Sequence, residues 1–264
     1  MKKKLVLFVL TAFGMLSVLL SLPVRLAHAQ TVFQAAGPTA ESIQATVELF
    51  RAALGGDDNR NLGPQPSGHR EINWDGGGST DTTDPVTPFD TFLNTRGARF
   101  TTPGKGLSQA PPSGGAQGGL ADLFNNPEYA DIFKTFSSPR LFTPVGSRIV
   151  KGAFFLPGSG GGTPATVIGF GAVFTDVDSP GARVRHHSTF IDYFDTEDRM
   201  IFRGLVPASP GDGTFSFFGI VFDDARIARV RITVGDSRPG PDDIDGRDIV
   251  MMDDFLYGEP QPLP

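Results

Sequence analysis

No cysteine occurs among the 264 residues, which excludes disulfides, thiolate nucleophiles and Cys-ligated zinc at once. Tryptophan occurs once and tyrosine three times, against 23 phenylalanines. Phenylalanine fills cores and has no polar handle, whereas exposed ligand platforms favour Tyr and Trp, so no sugar-stacking strip is expected. Catalytic signatures are missing too. The chain holds no G-x-S-x-G nucleophile turn, H-E-x-x-H zinc helix, P-loop or G-x-G-x-x-G dinucleotide turn. Histidine is scarce: beyond residue 29 only His69, His186 and His187 occur. Neighbouring residues of an extended chain face opposite ways, so His186 and His187 would not share a metal on a strand.

What is present begins with an address. Lys2, Lys3 and Lys4 precede an almost wholly apolar Leu5 to Leu22, and Ala27-His28-Ala29 closes the segment with small residues at alternate positions. This is the layout of a secretory leader over residues 1–29, with cleavage before Gln30. The alternative is an uncleaved anchor, since the run approaches the ~18 residues that span a bilayer. No Cys follows the run, so a lipid-anchored lipoprotein is excluded. Cleavage leaves 19 Lys and Arg against 29 Asp and Glu, formally −10. That balance argues against nucleic acid as partner and suits a secreted or periplasmic protein that leaves the membrane once its leader is removed. It is also compatible with Ca²⁺, which takes carboxylate and carbonyl oxygens. The remaining chain of about 235 residues is long enough to build a core without disulfides.

Ile43, Val47, Phe50 and Leu54 recur at helical spacing between Pro38-Thr39 and Gly55-Gly56; this predicts one short amphipathic helix packed on the rest of the protein. Gln30 to Pro38 reads as a flexible start. Asp57 to Gly68 and Leu107 to Gly119 read as loops, Ala98 to Thr101 as a strand, and the Phe-rich 124–142 as a helical turn plus an extended piece. From Arg148 onward the runs 148–156, 166–174, 189–195, 199–206, 214–222, 226–234 and 249–257 are short, β-branched or aromatic, and separated by Gly, Pro, Asp and Ser. They predict an all-β fold, a mainly antiparallel β-sandwich of jelly-roll type. In the 226–234 run Ala228, Val230, Ile232 and Val234 face a core, while Arg229, Arg231 and Thr233 face water. Runs 166–174 and 214–222 are apolar on both faces and should be central strands, covered by the helix and the Phe-rich segment. The expected organisation is a leader (1–29), a helix-and-loop region with the first strands (30–145), a sandwich core (146–258) forming one domain with 39–145, and a short polar tail (259–264).

Candidate sites are few. On a strand, Glu71, Asn73 and Asp75 would line one face and Ile72 and Trp74 the other, giving a polar ligand row beside the single Trp; the alternative is a buried Trp and a hydrogen-bonded strand edge. Asp253 and Asp254 interrupt the last apolar run, so by parity one of them faces the core. Such a carboxylate needs partners, either Ca²⁺ or backbone N–H groups and an Arg. Asp176 and Asp178 would share a face if extension continues through Val177, and are further candidate Ca²⁺ ligands. Asp242, Asp243, Asp245 and Asp248 crowd a Gly-containing turn that lacks full EF-hand spacing.

The segments Phe50-Arg51-Ala52-Ala53-Leu54-Gly55, Arg70-Glu71-Ile72-Asn73-Trp74-Asp75-Gly76, Gly169 to Asp178 and Met252-Asp253-Asp254-Phe255-Leu256-Tyr257-Gly258 together resemble an uncharacterised family of secreted bacterial proteins. The C-terminal part is similar to jelly-roll, lectin-like domains, which implies a sandwich, in some members a structural Ca²⁺ and in some carbohydrate binding. The expected function is a non-catalytic exported binding module for carbohydrate or envelope polymer. Alternatives are a structural surface or matrix protein, or a carboxylate-based hydrolase using Glu71, Asp75 or Asp176.

Overall fold

The computed structural model describes residues 29–76, 82–115, 118–178, 189–241 and 247–263. Residues 1–28, which hold most of the predicted leader, and His186, His187, Asp242, Asp243 and Asp245 lie outside them. In chain order the first elements are β1 (Gln30–Gly37), α1 (Ala40–Ala53), β2 (His69–Ile72), β3 (Thr82–Val86), α2 (Leu93–Arg96) and β4 (Ala98–Thr101). Then come β5 (Gly106–Ala110), α3 (Gly119–Phe124), α4 (Tyr129–Ile132), β6 (Leu141–Val145), β7 (Ile149–Phe154), β8 (Ala165–Thr166) and β9 (Gly169–Thr175). The last are β10 (Phe190–Phe194), β11 (Met200–Leu205), β12 (Phe215–Phe222), β13 (Arg229–Thr233), β14 (Met251–Gly258) and β15 (Gln261–Pro262).

All the strand ladders are antiparallel. The larger sheet runs β1-β12-β9-β14-β6-β5-β3, with β2 also paired to β14; the smaller runs β11-β10-β13-β7-β4. The inner faces bury one aromatic core that includes Trp74, Phe100, Phe142, Phe170, Ile232 and Phe255. The protein is an all-β sandwich. The segment before residue 146 gives strands to both sheets, so no boundary between layers falls there.

The larger sheet is covered on its outer face as well. Ile43, Val47, Phe50 and Leu54 of α1 pack on Val173, Phe215, Phe217 and Leu256, and α3 with α4 cover Leu141, Ile249 and Met251. This is why β9 is buried along its whole length and β12 nearly so. Gly171 of β9 and Gly219 of β12 are register partners and form a floor for the Phe50 ring. A Cβ at Gly219 would stand 2.7 Å from Phe50 Cε2, and one at Gly171 2.8 Å from Cε1. Gly219→Ala should therefore tilt α1 off the sheet and cost about 1–3 kcal/mol, read as a lower urea midpoint; an unchanged midpoint would show that the floor has slack.

Three expectations need correction. Gln30–Gly37 is an ordered edge strand in full register with Phe222 to Phe215, not a flexible start; the pairing comes from β12, far along the chain, and leaves no trace in local alternation. Gly106–Ala110 is a fully buried strand that takes up the start of the segment 107–119 read as a loop. The residues after 258 are not a free tail, because Gln261 and Pro262 pair with Thr166 and Ala165 and Glu259 is buried.

Candidate functional site

The polar row at 71–75 does not form. β2 stops at Ile72, and Trp74 takes a left-handed backbone, φ 64°, which ends the two-residue alternation on which the row depended. Trp74 is fully buried. Its ring stacks on Phe142 at 3.8 Å between centroids, and Phe89, Phe92, Phe100 and Phe255 surround it edge-on. Its indole N–H donates to Asp253 O at 2.9 Å. Asn73 is exposed, and Asp75 Oδ1 accepts from Arg140 N at 3.0 Å.

Glu71 enters a different group. Its carboxylate accepts from Arg51 Nε at 2.6 Å and Nη2 at 3.2 Å, and lies 2.9 Å from His69 Nε2. Burial by itself would raise the Glu71 carboxyl, but His69 and Arg51 outweigh it and bring it down to about 2. Asp254 adjoins this group, with Oδ2 3.7 Å from Arg51 Nη2.

Parity fails at Asp253-Asp254 for a specific reason. Met252 pairs with Phe174 and Phe255 with Ala172, so two aspartates oppose the single Val173 in a β-bulge. The bulge sits where β14 changes neighbour from β6, at Met252, to β2, at Phe255. Both carboxylates then reach the Ser137 hydroxyl. Asp253 Oδ2 also accepts from Phe136 N at 2.6 Å and Ser137 N at 3.3 Å. Burial, reinforced by Asp254, pushes the Asp253 carboxyl well up; burial also raises Asp254. Enclosed and held by N–H and O–H donors, the pair pins the 134–138 segment across the sheet and offers a cation few free oxygens.

Asp176 also has a left-handed backbone, φ 67°, so β9 does not extend through Val177, whose side chain turns into the core. The Asp176 carboxyl is buried, with Oδ1 lacking a hydrogen-bond partner. Burial, then the charges of Asp178, Asp212 and Asp248, push it up to about 8. Asp178 Oδ1 accepts from Gly211 N at 2.9 Å, and its own N–H donates to Asp248 Oδ1 at 3.3 Å. Among the described residues no three His, Asp or Glu side chains gather as metal ligands. Glu71, Asp75 and Asp176 belong, among the described residues, to separate hydrogen-bonded groups.

The most chemically distinctive surface is the outer face of the smaller sheet. The large helix α1 and the pair α3–α4 lie on the other sheet. Cross-strand register aligns Arg203 of β11, Asp192 of β10, Arg231 of β13, Lys151 of β7 and Thr101 of β4 in one row. Asp192 is fully buried beneath the two arginines: Oδ1 accepts from Arg203 Nε at 2.5 Å and Oδ2 from Arg231 Nη2 at 2.6 Å. Burial raises the Asp192 carboxyl, but the two guanidinium groups outweigh that and hold it below its ordinary value. Arg203 also lies over the Phe190 ring at 4.4 Å and Arg229 over Phe194 at 3.9 Å. Stacking and ion pairing fix the planes of these guanidinium groups while leaving outward N–H groups for a ligand. Lys151 is exposed. The row thus carries three cations and one carboxylate, flanked by Phe190 with Leu205 on one side and Phe194 with Met200 on the other. Alternation marks Arg229 and Arg231 as outward from sequence alone; the alignment of Arg231 with Asp192, Arg203 and Lys151 requires the pairing of four strands. No protein family, curated protein or solved structure matches the chain.

Proposed function

We propose that the protein is an exported, non-catalytic binding module whose ligand is an acidic extracellular or envelope polysaccharide held on the outer face of the smaller sheet. The reading rests on one observation above all: the Arg203–Asp192–Arg231–Lys151 row, with stacked phenylalanines beside it. An extended polyanion laid across β11, β10, β13 and β7 meets Arg203 and Arg231 two strand spacings (about 9.6 Å) apart, on either side of Asp192, and Lys151 one spacing (~4.8 Å) further on. Charge, not ring stacking, would then select the ligand, which agrees with the shortage of Tyr and Trp. The leader-like start supplies the export half of the reading.

The test is titration calorimetry at low salt with a polyuronate and with a neutral glucan of equal length. The polyuronate should bind with an affinity that falls steeply as salt rises, and the glucan should not. Lys151→Glu should weaken polyuronate binding about tenfold, a change on the order of 1.4 kcal/mol. The triple Asp192→Asn, Arg203→Gln, Arg231→Gln, which removes all three charges of the cluster, should abolish it without leaving a buried unpaired charge. Equal binding of both polymers, or indifference to Lys151→Glu, would remove the proposal.

A further inference from the structure

A second cationic feature lies at the end of β7 and β13, away from the sheet row. Ser147 and Arg148 precede β7; Asp236, Ser237 and Arg238 follow β13; Arg247 approaches from the segment leading to β14. Together they line a surface cleft of about 350 Å³. Its frame is fixed by main-chain bonds: Asp236 N and Ser237 N both donate to Asp248 O, at 2.8 and 3.1 Å, and Gly235 N donates to Thr189 Oγ1 at 2.9 Å. Gly235 is left-handed (φ 57°), and a Cβ there would stand 2.1 Å from Asp248 O, so only glycine lets the two segments close.

The charges in the cleft are unbalanced. Arg148 donates to Gly235 O, and Arg238 makes no ion pair with a described residue. Arg247 Nη1 is 3.8 Å from Asp236 Oδ2. Asp236 Oδ1 accepts from Asp248 N at 3.0 Å, and the Asp248 carboxylate does not line the cleft but accepts from Asp178 N. Among the described residues, three guanidinium groups therefore line the cleft with one carboxylate. Guanidinium forks match the oxygen edges of a tetrahedral oxyanion. Ser147 Oγ accepts from Ile149 N at 3.0 Å, which leaves its hydroxyl hydrogen for an anion. Asp236 adds something sulfate cannot use. Each carboxylate oxygen has two acceptor positions, so one remains for the P–OH of a hydrogen phosphate.

We propose that Arg148, Arg238 and Arg247 form a binding site for a phosphate group, with Ser147 donating to it and Asp236 accepting from its P–OH. The site stands independently of the polysaccharide reading, since the row at Arg203, Arg231 and Lys151 contributes nothing to it. The probes are inorganic phosphate, glycerol 3-phosphate, inorganic sulfate and vesicles of phosphatidylglycerol, titrated into the full mature chain and followed by amide NMR shifts at 237–238 and by calorimetry.

Inorganic phosphate should bind in the millimolar range or tighter and ahead of sulfate by at least fivefold. Arg238→Ala and Arg247→Ala should each weaken it about tenfold while the urea midpoint stays put, both side chains being solvent-facing. Asp236→Asn should erase the preference over sulfate, which a merely structural Asp236 would not do. Glycerol 3-phosphate binding with phosphate's pattern of variant effects would mark a soluble phosphomonoester as a source. Binding to vesicles alone, no binding at 10 mM phosphate, or equal binding after Arg238→Ala and Arg247→Ala would overturn the proposal.

Discussion

Replacing Arg70 by alanine should cost the protein about 3–5 kcal/mol, the range for breaking one partner of a buried ion pair. Arg70 is fully buried and Glu259 nearly so. Arg70 Nε lies 2.6 Å from Glu259 Oε2, and Nη2 lies 2.8 Å from Oε1. The same guanidinium donates to the carbonyls of Asn59, Asn61 and Thr95 through Nη1 and of Gly63 through Nη2. Glu259 in turn accepts from Gln65 N and Asn59 Nδ2. One side chain thus closes the 57–68 loop, the start of β2 and the end of β14 together. Alanine would strand a buried carboxylate and several carbonyls at once.

The double variant Arg70→Met, Glu259→Leu separates these contributions. Removing both charges relieves the stranded carboxylate, so part of the loss should return. The rest should not, because the loop carbonyls still lack their donor. Urea unfolding of both variants reads the two parts; Arg70→Ala within 1 kcal/mol of the wild type would mean that the loop has no need of this hub.

The residues that sequence reasoning placed well are those whose environment is set by their own strand. In β13, Val230 and Ile232 are buried while Arg229 and Arg231 turn outward, because alternation within a half-wet strand records both faces. The α1 stripe is legible for the same reason at a period of 3.6. What escaped depends on a partner strand. The bulge at Asp253-Asp254 is defined by counting residues on β9 as well as β14, and parity counts only one strand. β1 owes its register to β12, and Phe33 and Ala35 pack on the α1 cluster. The left-handed turn at Trp74 is a further blind spot, since a non-glycine residue gives no local signal for positive φ. The Arg and Phe face escaped for the simplest reason: its members come from four separate runs, and only register puts them side by side.

Asp176→Asn should make the protein more stable at alkaline pH, and the sign follows from where the carboxyl titrates. Its ordinary value is 3.8, and in the fold burial and the charges of Asp178, Asp212 and Asp248 push it up to about 8. Below pH 4 the group is protonated in both states and contributes no difference. Between about 4 and 8 the folded protein keeps a proton that the unfolded chain has released, so stability falls as pH rises at up to ~1.4 kcal/mol per unit. Above 8 the carboxyl is ionised in both states and the full penalty remains, with a ceiling on the order of 5 kcal/mol that local rearrangement and water entry reduce. Asparagine accepts the left-handed backbone at this position, carries no charge, and turns an amide donor toward its acidic neighbours. The variant's advantage should therefore be small at pH 4.5, grow through neutrality and level off near pH 9. Asp253 and Asp254, also raised, and Glu71, lowered to about 2 with the opposite sign, are common to both proteins and cancel in the difference. Urea unfolding at pH 4.5, 7 and 9 measures it. A gap that stays constant across that range would place Asp176 at an ordinary carboxylate value and dissolve the case for a buried, proton-holding acidic cluster.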